Sequence, residues 1–167
     1  LRRLQQGPKS GGETQHEHAG DQAGGAPKPG GEQGGHARSA KAAGAAQVIA
    51  LEMSGARKTK AREVGATHVL DPNQCDVLAE VRRLTGGLGA DVSFECIGNK
   101  HTAKLAIDLI RKAGKCVLVG IFEEPSEFNF FELVATEKQV LGALAYNGEF
   151  ADVIAFIADG RLDITPL

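Results

Sequence analysis

TGGLGADVSFECIGN, residues 85–99, decides the reading of this chain. Gly86-Gly87 stop an amphipathic run, and residues 91–96 (DVSFEC) then read as a strand that ends on Ile97-Gly98. Just upstream, Val77, Leu78, Val81 and Leu84 recur at helical spacing across residues 75–84. Just downstream, Ala103, Ala106, Ile107 and Ile110 share one face of a helix expected over residues 101–112. Residues 115–119 (KCVLV) form the next apolar strand. A helix between two such strands returns the chain to the same end of the sheet, so the strands run parallel.

Working outward, the same alternation continues. Residues 47–51 (QVIAL) read as a buried strand, residues 55–64 as a helix closed by Gly65, and residues 67–70 (THVL) as a strand stopped by Asp71-Pro72. Residues 139–144 read as a further strand, and Val153, Ile154, Phe156 and Ile157 make residues 150–158 a helix. Strand and helix in strict turn give an α/β fold, a doubly wound parallel sheet of the Rossmann-like kind.

Residues 1–38 are unlike the rest. They contain no Val, Ile, Met, Phe, Tyr, Trp or Cys, and ten of the 22 glycines lie there. Such a segment cannot bury enough apolar surface to offset the entropy of ordering it, so a disordered Gly-rich tail is expected. A dinucleotide fold needs a first strand followed by a GxGxxG turn, whose amides meet the pyrophosphate at a helix N-terminus. Gly30-Gly31 and Gly34-Gly35 follow no apolar strand. The sheet is therefore expected to be incomplete, lacking its first strand. The expected division is a tail over 1–38, a partial cofactor domain over 39–146, and a return segment over 147–167. Translation of residues 1–38 from a wrong reading frame would explain the break at Ser39, and the upstream nucleotide sequence tests it.

Net charge −2 and a pI near 6.2 exclude a nucleic-acid surface and a polybasic membrane anchor. No apolar run nears the roughly 18 residues that span a bilayer. Leu1-Arg2-Arg3-Leu4 leads into polar sequence, not a signal-peptide core, so a cytoplasmic setting is expected. Cys75, Cys96 and Cys116 form no CxxC pair and read as reduced, mostly buried thiols. His16-Glu17-His18 is not a metal-protease motif, and His68 and His101 read as structural, so neither a metal site nor a catalytic residue is assigned.

Ligands of parallel sheets bind beyond the carboxyl ends of the strands. Glu52 follows the first strand present. A carboxylate there can accept both ribose hydroxyls of an adenosine and repel a 2′-phosphate, which favours NAD; the plain alternative is a solvated or capping carboxylate. Arg57 could stack on adenine or touch the ribose, though Lys58, Lys60 and Arg62 beside it suit an ordinary basic surface. Cys96, Ile97 and Gly98 end one strand, and Val119, Gly120 and Ile121 end the next. Each offers an apolar wall with a glycine where backbone and ligand can approach closely.

Four segments carry a resemblance in the right order: residues 40–72, TGGLGADVSFECIGN at 85–99, GKCVLVGIF at 114–122, and EKQVLGALAYNGEFADVIAFIADGRLDITPL to the end. Residues 39–167 resemble the cofactor domain of zinc-dependent medium-chain alcohol/polyol dehydrogenases, in the butanediol/sorbitol/threonine branch. The resemblance implies hydride transfer between a secondary alcohol and NAD, with a zinc ion polarising the substrate oxygen. It assigns Glu52 and Arg57 to the adenosine ribose, Cys96, Ile97 and Gly98 to the ribose-flanking loop, and Val119, Gly120 and Ile121 to the nicotinamide side. Ala143 and Leu144 become a further cofactor-lining pair. The zinc ligands of the full-length family have no counterpart in this sequence, so a fragment inactive by itself is implied. A non-catalytic nucleotide-binding module and a zinc-independent quinone reductase relative are the alternative readings. A small-molecule alcohol is the implied substrate, and residues 139–144 are where a second copy would add.

In this strand order the first strand is central, between QVIAL and DVSFEC. Without it two edges are left unpaired, so marginal stability or aggregation and weak NAD binding are expected.

Overall fold

The computed structural model describes residues 31–145, 148–163 and 165, with side chains from Ala37 onward. Residues 1–30 of the tail expected over 1–38, and with them the His16-Glu17-His18 cluster, lie outside the described residues. In chain order the elements are α1 (Gly31–Ala42), β1 (Ile49–Leu51), α2 (Gly55–Glu63), β2 (His68–Leu70), α3 (Val77–Leu84), β3 (Ala90–Glu95), α4 (Lys100–Leu109), β4 (Ile110–Leu118), α5 (Phe130–Thr136), β5 (Gln139–Gly142) and α6 (Phe150–Ala158). Every strand pairing is parallel.

Two sheets form. β1 pairs with β2, and β3, β4 and β5 lie side by side in that order. The alternation of strand and helix is present, and among the described residues the strands form two separate sheets in place of one. β1 is short and spans only Ile49–Leu51.

Local chemistry explains the helices. Asp76 caps α3 by accepting the Ala79 amide at 3.1 Å, and Val77 and Val81 point inward. Asn99 caps α4 by accepting the His101 and Thr102 amides at 2.9 and 3.0 Å, and Ala103, Ala106, Ile107 and Leu109 are buried. Two clusters result. Ala106, Ile107, Ile110 and Cys116 form one beneath β4, with Leu118, Leu133 and Val140 packed against it. Val77, Val81 and Leu109 form the other, and it touches both sheets: Ile49, Leu51 and Leu70 from one, Ala90 from the other. Burying each such aliphatic side chain contributes roughly 1.5–3 kcal/mol, which holds the two sheets to one body.

Three differences from the sequence reading stand out. α1 starts at Gly31, within the segment expected to be disordered; it docks through buried Ala37 and Arg38, and the Lys41 ammonium donates to Ala45 O and Ala46 O. α4 ends at Leu109, not at Lys112, because Ile110 pairs with Ala90 and is buried, and Ala113 adopts a left-handed φ of 54°. α5 had no periodic signal, since Phe130, Phe131 and Val134 are all exposed; the Asn129 cap on the Phe131 amide starts it.

Candidate cofactor-binding site

The carboxyl ends of β3 and β4 meet at two glycines. Gly98 has a φ of +85°, a conformation that side chains strain to adopt. A Cβ on Gly98 would lie 2.6 Å from the Ile121 carbonyl carbon. A Cβ on Gly120 would lie 2.7 Å from Gly98 Cα and 2.6 Å from Glu95 Oε2. The loop after β3 therefore crosses the loop after β4 backbone to backbone, and only glycine permits it at both positions.

Glu95 builds this crossing. Its residue is 2% exposed, and its carboxylate accepts the Ile97 amide at 2.9 Å, the Gly98 amide at 3.0 Å and the Thr102 hydroxyl at 2.7 Å. Its carbonyl accepts the Val119 and Gly120 amides at 2.8 and 2.9 Å. Buried carboxylates are costly unless hydrogen-bonded in this way. Glu95 is the residue that reading the sequence missed. The signal was there: an acidic residue inside an apolar strand that ends on Ile-Gly needs partners.

Around the crossing, Cys96 is half-buried, while Ile97 and Ile121 present exposed apolar side chains. Val119 and Gly120 are half-buried. The Ala143 amide donates to Leu118 O at 2.9 Å, which sets Ala143 at the end of β5 beside β4, and Leu144 beyond it is 85% exposed. Residues 96–98, 119–121 and 143–144 thus share one rim, at the carboxyl ends of β3, β4 and β5.

Glu52 and Arg57 stand apart at the carboxyl end of β1, in the other sheet. They are brought together with each other: Arg57 Nε donates to Glu52 Oε2 at 2.8 Å, and the Ser54 amide donates to Oε1 at 2.8 Å. Burial alone would raise the Glu52 carboxyl, but the Arg57 and Ser54 hydrogen bonds outweigh it and hold it below the usual carboxylate range. Glu52 is therefore an anion at neutral pH, with Arg57 turned onto it. Behind it Lys58 pairs with Asp71, lowering that carboxyl in turn.

Other features lie away from this rim. A cleft of about 330 Å³ between Leu78, Arg82, Leu88, Asp108 and Lys138 sits at the amino ends of β3 and β4, the wrong end for a sheet ligand. His68 lies on β2 and His101 in the first turn of α4. Cys116 is fully buried, and burial pushes its thiol up, so it is a packing residue. Among the described residues no group of three His, Cys, Asp or Glu could hold a metal ion, and no helix is long and apolar enough to cross a membrane.

Comparison with known proteins gives this geometry a family. The model of the zinc-binding dehydrogenase family matches residues 36–159. A (R,R)-butanediol dehydrogenase of Neisseria gonorrhoeae is 37% identical over 121 residues, 72% of this chain and 34% of that protein. A sorbitol dehydrogenase of Halalkalibacterium halodurans is 39% identical over 109 residues, 64% of this chain and 32% of that protein. The crystal structure of 2R,3R-butanediol dehydrogenase from Bacillus subtilis superposes with a TM-score of 0.73 at 35% identity, covering 78% of this chain and 37% of that one. A zinc-binding dehydrogenase from Sinorhizobium meliloti bound to NADP superposes with a TM-score of 0.69 at 29% identity, covering 77% of this chain and 39% of that one. The chain spans about a third of the length of the curated relatives it matches. With parallel strands, a glycine crossing at their carboxyl rim and a family model that covers most of its length, the chain belongs to the zinc-binding dehydrogenase family.

Proposed function

We propose that residues 39–167 form part of the NAD-binding half of a polyol dehydrogenase and are inactive alone. The Gly98–Gly120 crossing carries the reading: it draws the loops after β3 and β4 together at the carboxyl rim, with the exposed Ile97 and Ile121 side chains beside it, where a nicotinamide ring would lie. Bound there, NAD would accept a hydride from a secondary alcohol. The chain's own residues would orient the cofactor. Glu52 accepts the adenosine ribose hydroxyls on carboxylate lone pairs left over from Ser54 and Arg57, and Arg57 flanks the adenine. Val119 and Gly120 line the carboxamide side, with Ala143 and Leu144 at the outer wall.

The relative bound to NADP raises the other cofactor. Glu52 argues against it here, because an ionised carboxylate repels a 2′-phosphate and the Arg57 Nε that might have met that phosphate is engaged. The zinc of the full-length family has no ligand set among the described residues, so no step is drawn through it. The free thiols suit a reducing, cytoplasmic setting, and the outer edge of β5 suits pairing with a second copy.

A chimera tests the reading. Residues 39–167 would replace the matching stretch of the Bacillus subtilis butanediol dehydrogenase. The expected outcome is NAD-dependent oxidation of 2,3-butanediol or sorbitol, with Glu52→Ala raising KM for NAD about tenfold and narrowing the preference over NADP. A soluble, zinc-loaded chimera with no nicotinamide binding at all would overturn it.

A further inference from the structure

The cleft of about 330 Å³ at the amino ends of β3 and β4 is no place for a sheet-bound cofactor, but it has a chemistry of its own. Three cations line it: Arg82 from the last turn of α3, Lys112 near the start of β4, and Lys138 just before β5. Asp108 lines it too, and Lys104 holds both of its oxygens, at 3.0 and 2.8 Å. Lys138 donates to Ile107 O at 2.8 Å and lies 3.9 Å from Glu132 Oε1, with its side chain 8% exposed. Among the described residues Arg82 and Lys112 meet no carboxylate. Cations at a helix end usually offset its free carbonyls. Here those carbonyls are already taken. Val81 O accepts the Thr85 amide and hydroxyl at 3.0 and 2.7 Å, and Arg82 O accepts the Gly87 amide at 2.7 Å. The cleft therefore keeps two positive charges without a counterion. Its wall is apolar, with Leu78 and the buried Leu109 and Ile110 lining it. The turn over residues 86–89 is pinned beside them. A Cβ on Gly89 would lie 2.9 Å from both Leu109 O and Arg111 N, and the Gly89 amide donates to Thr85 Oγ1 at 2.9 Å. Leu88 on that turn also lines the cleft and is 71% exposed.

We propose that this cleft binds a small phosphomonoester with an apolar body, such as an aryl phosphate. A phosphomonoester carries about two negative charges at neutral pH, which match the two cations that lack a counterion. The Arg82 guanidinium can offer a phosphate two parallel N–H donors, and the Lys112 ammonium adds a point charge. The size also suits such a molecule, since ligand pockets begin at about 300 Å³. The ring would cover Leu88 and rest against Leu78 and Leu109, taking apolar surface out of water. Inorganic phosphate leaves that surface exposed. An aryl carboxylate brings one charge where two are needed. The Gly87 and Gly89 amides are engaged within the turn, so side chains and not a backbone nest make the selection. The inference is independent of the cofactor reading, because none of residues 52, 57, 96–98, 119–121 and 143–144 lines this cleft.

Titration of the full 167-residue chain, followed through its backbone amide NMR shifts, tests this. The probe is phenyl phosphate. The expected result is saturable shifts at Gly87, Leu88, Gly89 and Lys138, with Gly98 and Gly120 unmoved. Benzoate and inorganic phosphate should each bind about fivefold more weakly, the first for want of charge and the second for want of an apolar body. Arg82→Gln and Lys112→Gln should each weaken phenyl phosphate about tenfold, because each removes a charge-assisted hydrogen bond. Both side chains are exposed, so neither change opens the core. If one of these variants fails to fold, the other decides. Arg62→Gln, on α2 and outside the cleft, should leave the affinity unchanged. No saturation, shifts that gather at Gly98 and Gly120 instead, equal binding of either comparison anion, or an equal loss in Arg62→Gln would each overturn the proposal.

Discussion

The two sheets are held together by different physics. β3, β4 and β5 enclose a cluster built on Ile107, Ile110 and Cys116, and their carboxyl ends are locked by the buried Glu95. β1 and β2 are three residues each, and none of their residues is fully buried. α2 beside them buries none of its residues either. That half depends on the Glu52–Arg57 and Lys58–Asp71 pairs and on leaning against α3. The three-stranded half therefore rests on apolar packing, with hydrogen bonds to the buried Glu95 carboxylate holding the crossing, whereas the acid expected to read the ribose rests on ion pairs and a borrowed core. Packing is insensitive to pH and salt; ion pairs are not.

Four outcomes would break or sharpen that contrast. The largest effect is expected at the crossing. Gly120→Ala places a Cβ against Glu95 Oε2 and Gly98 Cα, so it should cost roughly 4 kcal/mol or more and lose the three-stranded sheet in urea unfolding. Retention of the β3–β4 ladder at unchanged midpoint would show that the crossing is loose. Ile110→Ala comes next, at about 3 kcal/mol, and segment-resolved hydrogen exchange should show β4 and β5 opening before β2. Equal opening of both sheets would erase the distinction between them.

Glu95→Gln should cost about 2 kcal/mol, because the amide nitrogen can no longer accept and buried donors lose a charged partner. Its effect should stay in the three-stranded half, seen as faster exchange at Ile97 and Gly98. Glu52→Gln is expected to be smaller, roughly 1 kcal/mol at pH 7, and confined to β1 and α2. Its pH dependence has a definite sign. The folded-state pKa of Glu52 lies below the ordinary value of 4.5, so its stabilisation is fully present above that value and is lost as pH falls through the folded one. Urea melts of parent and Glu52→Gln should therefore diverge at neutral pH and converge in acid. A difference that persists in acid would assign the effect to shape instead of charge.

Much of this was legible from spacing. The α3 and α4 faces follow from apolar residues at helical intervals, and the parallel strands follow from a helix between them. The described strands fall into two separate sheets, β1–β2 and β3–β4–β5, where the sequence pattern reads as one incomplete sheet. The start of α1 and the whole of α5 were not legible, because their exposed or small residues carry no periodic signal. Of the site, Gly98 and Gly120 could be picked out by their place after apolar strands, but nothing local said that they touch.

Sequence by itself determined the alternation of strand and helix and the acid and glycines that follow the strands, because these depend on the pattern of neighbours along the chain. Only the tertiary structure decided that Glu95 would be buried beneath the crossing, that Arg57 would turn onto Glu52, and that both sheets would lean on one cluster. Those facts join residues distant in the chain or set the orientation of side chains, and packing alone chooses among the many partners that each polar group could have taken.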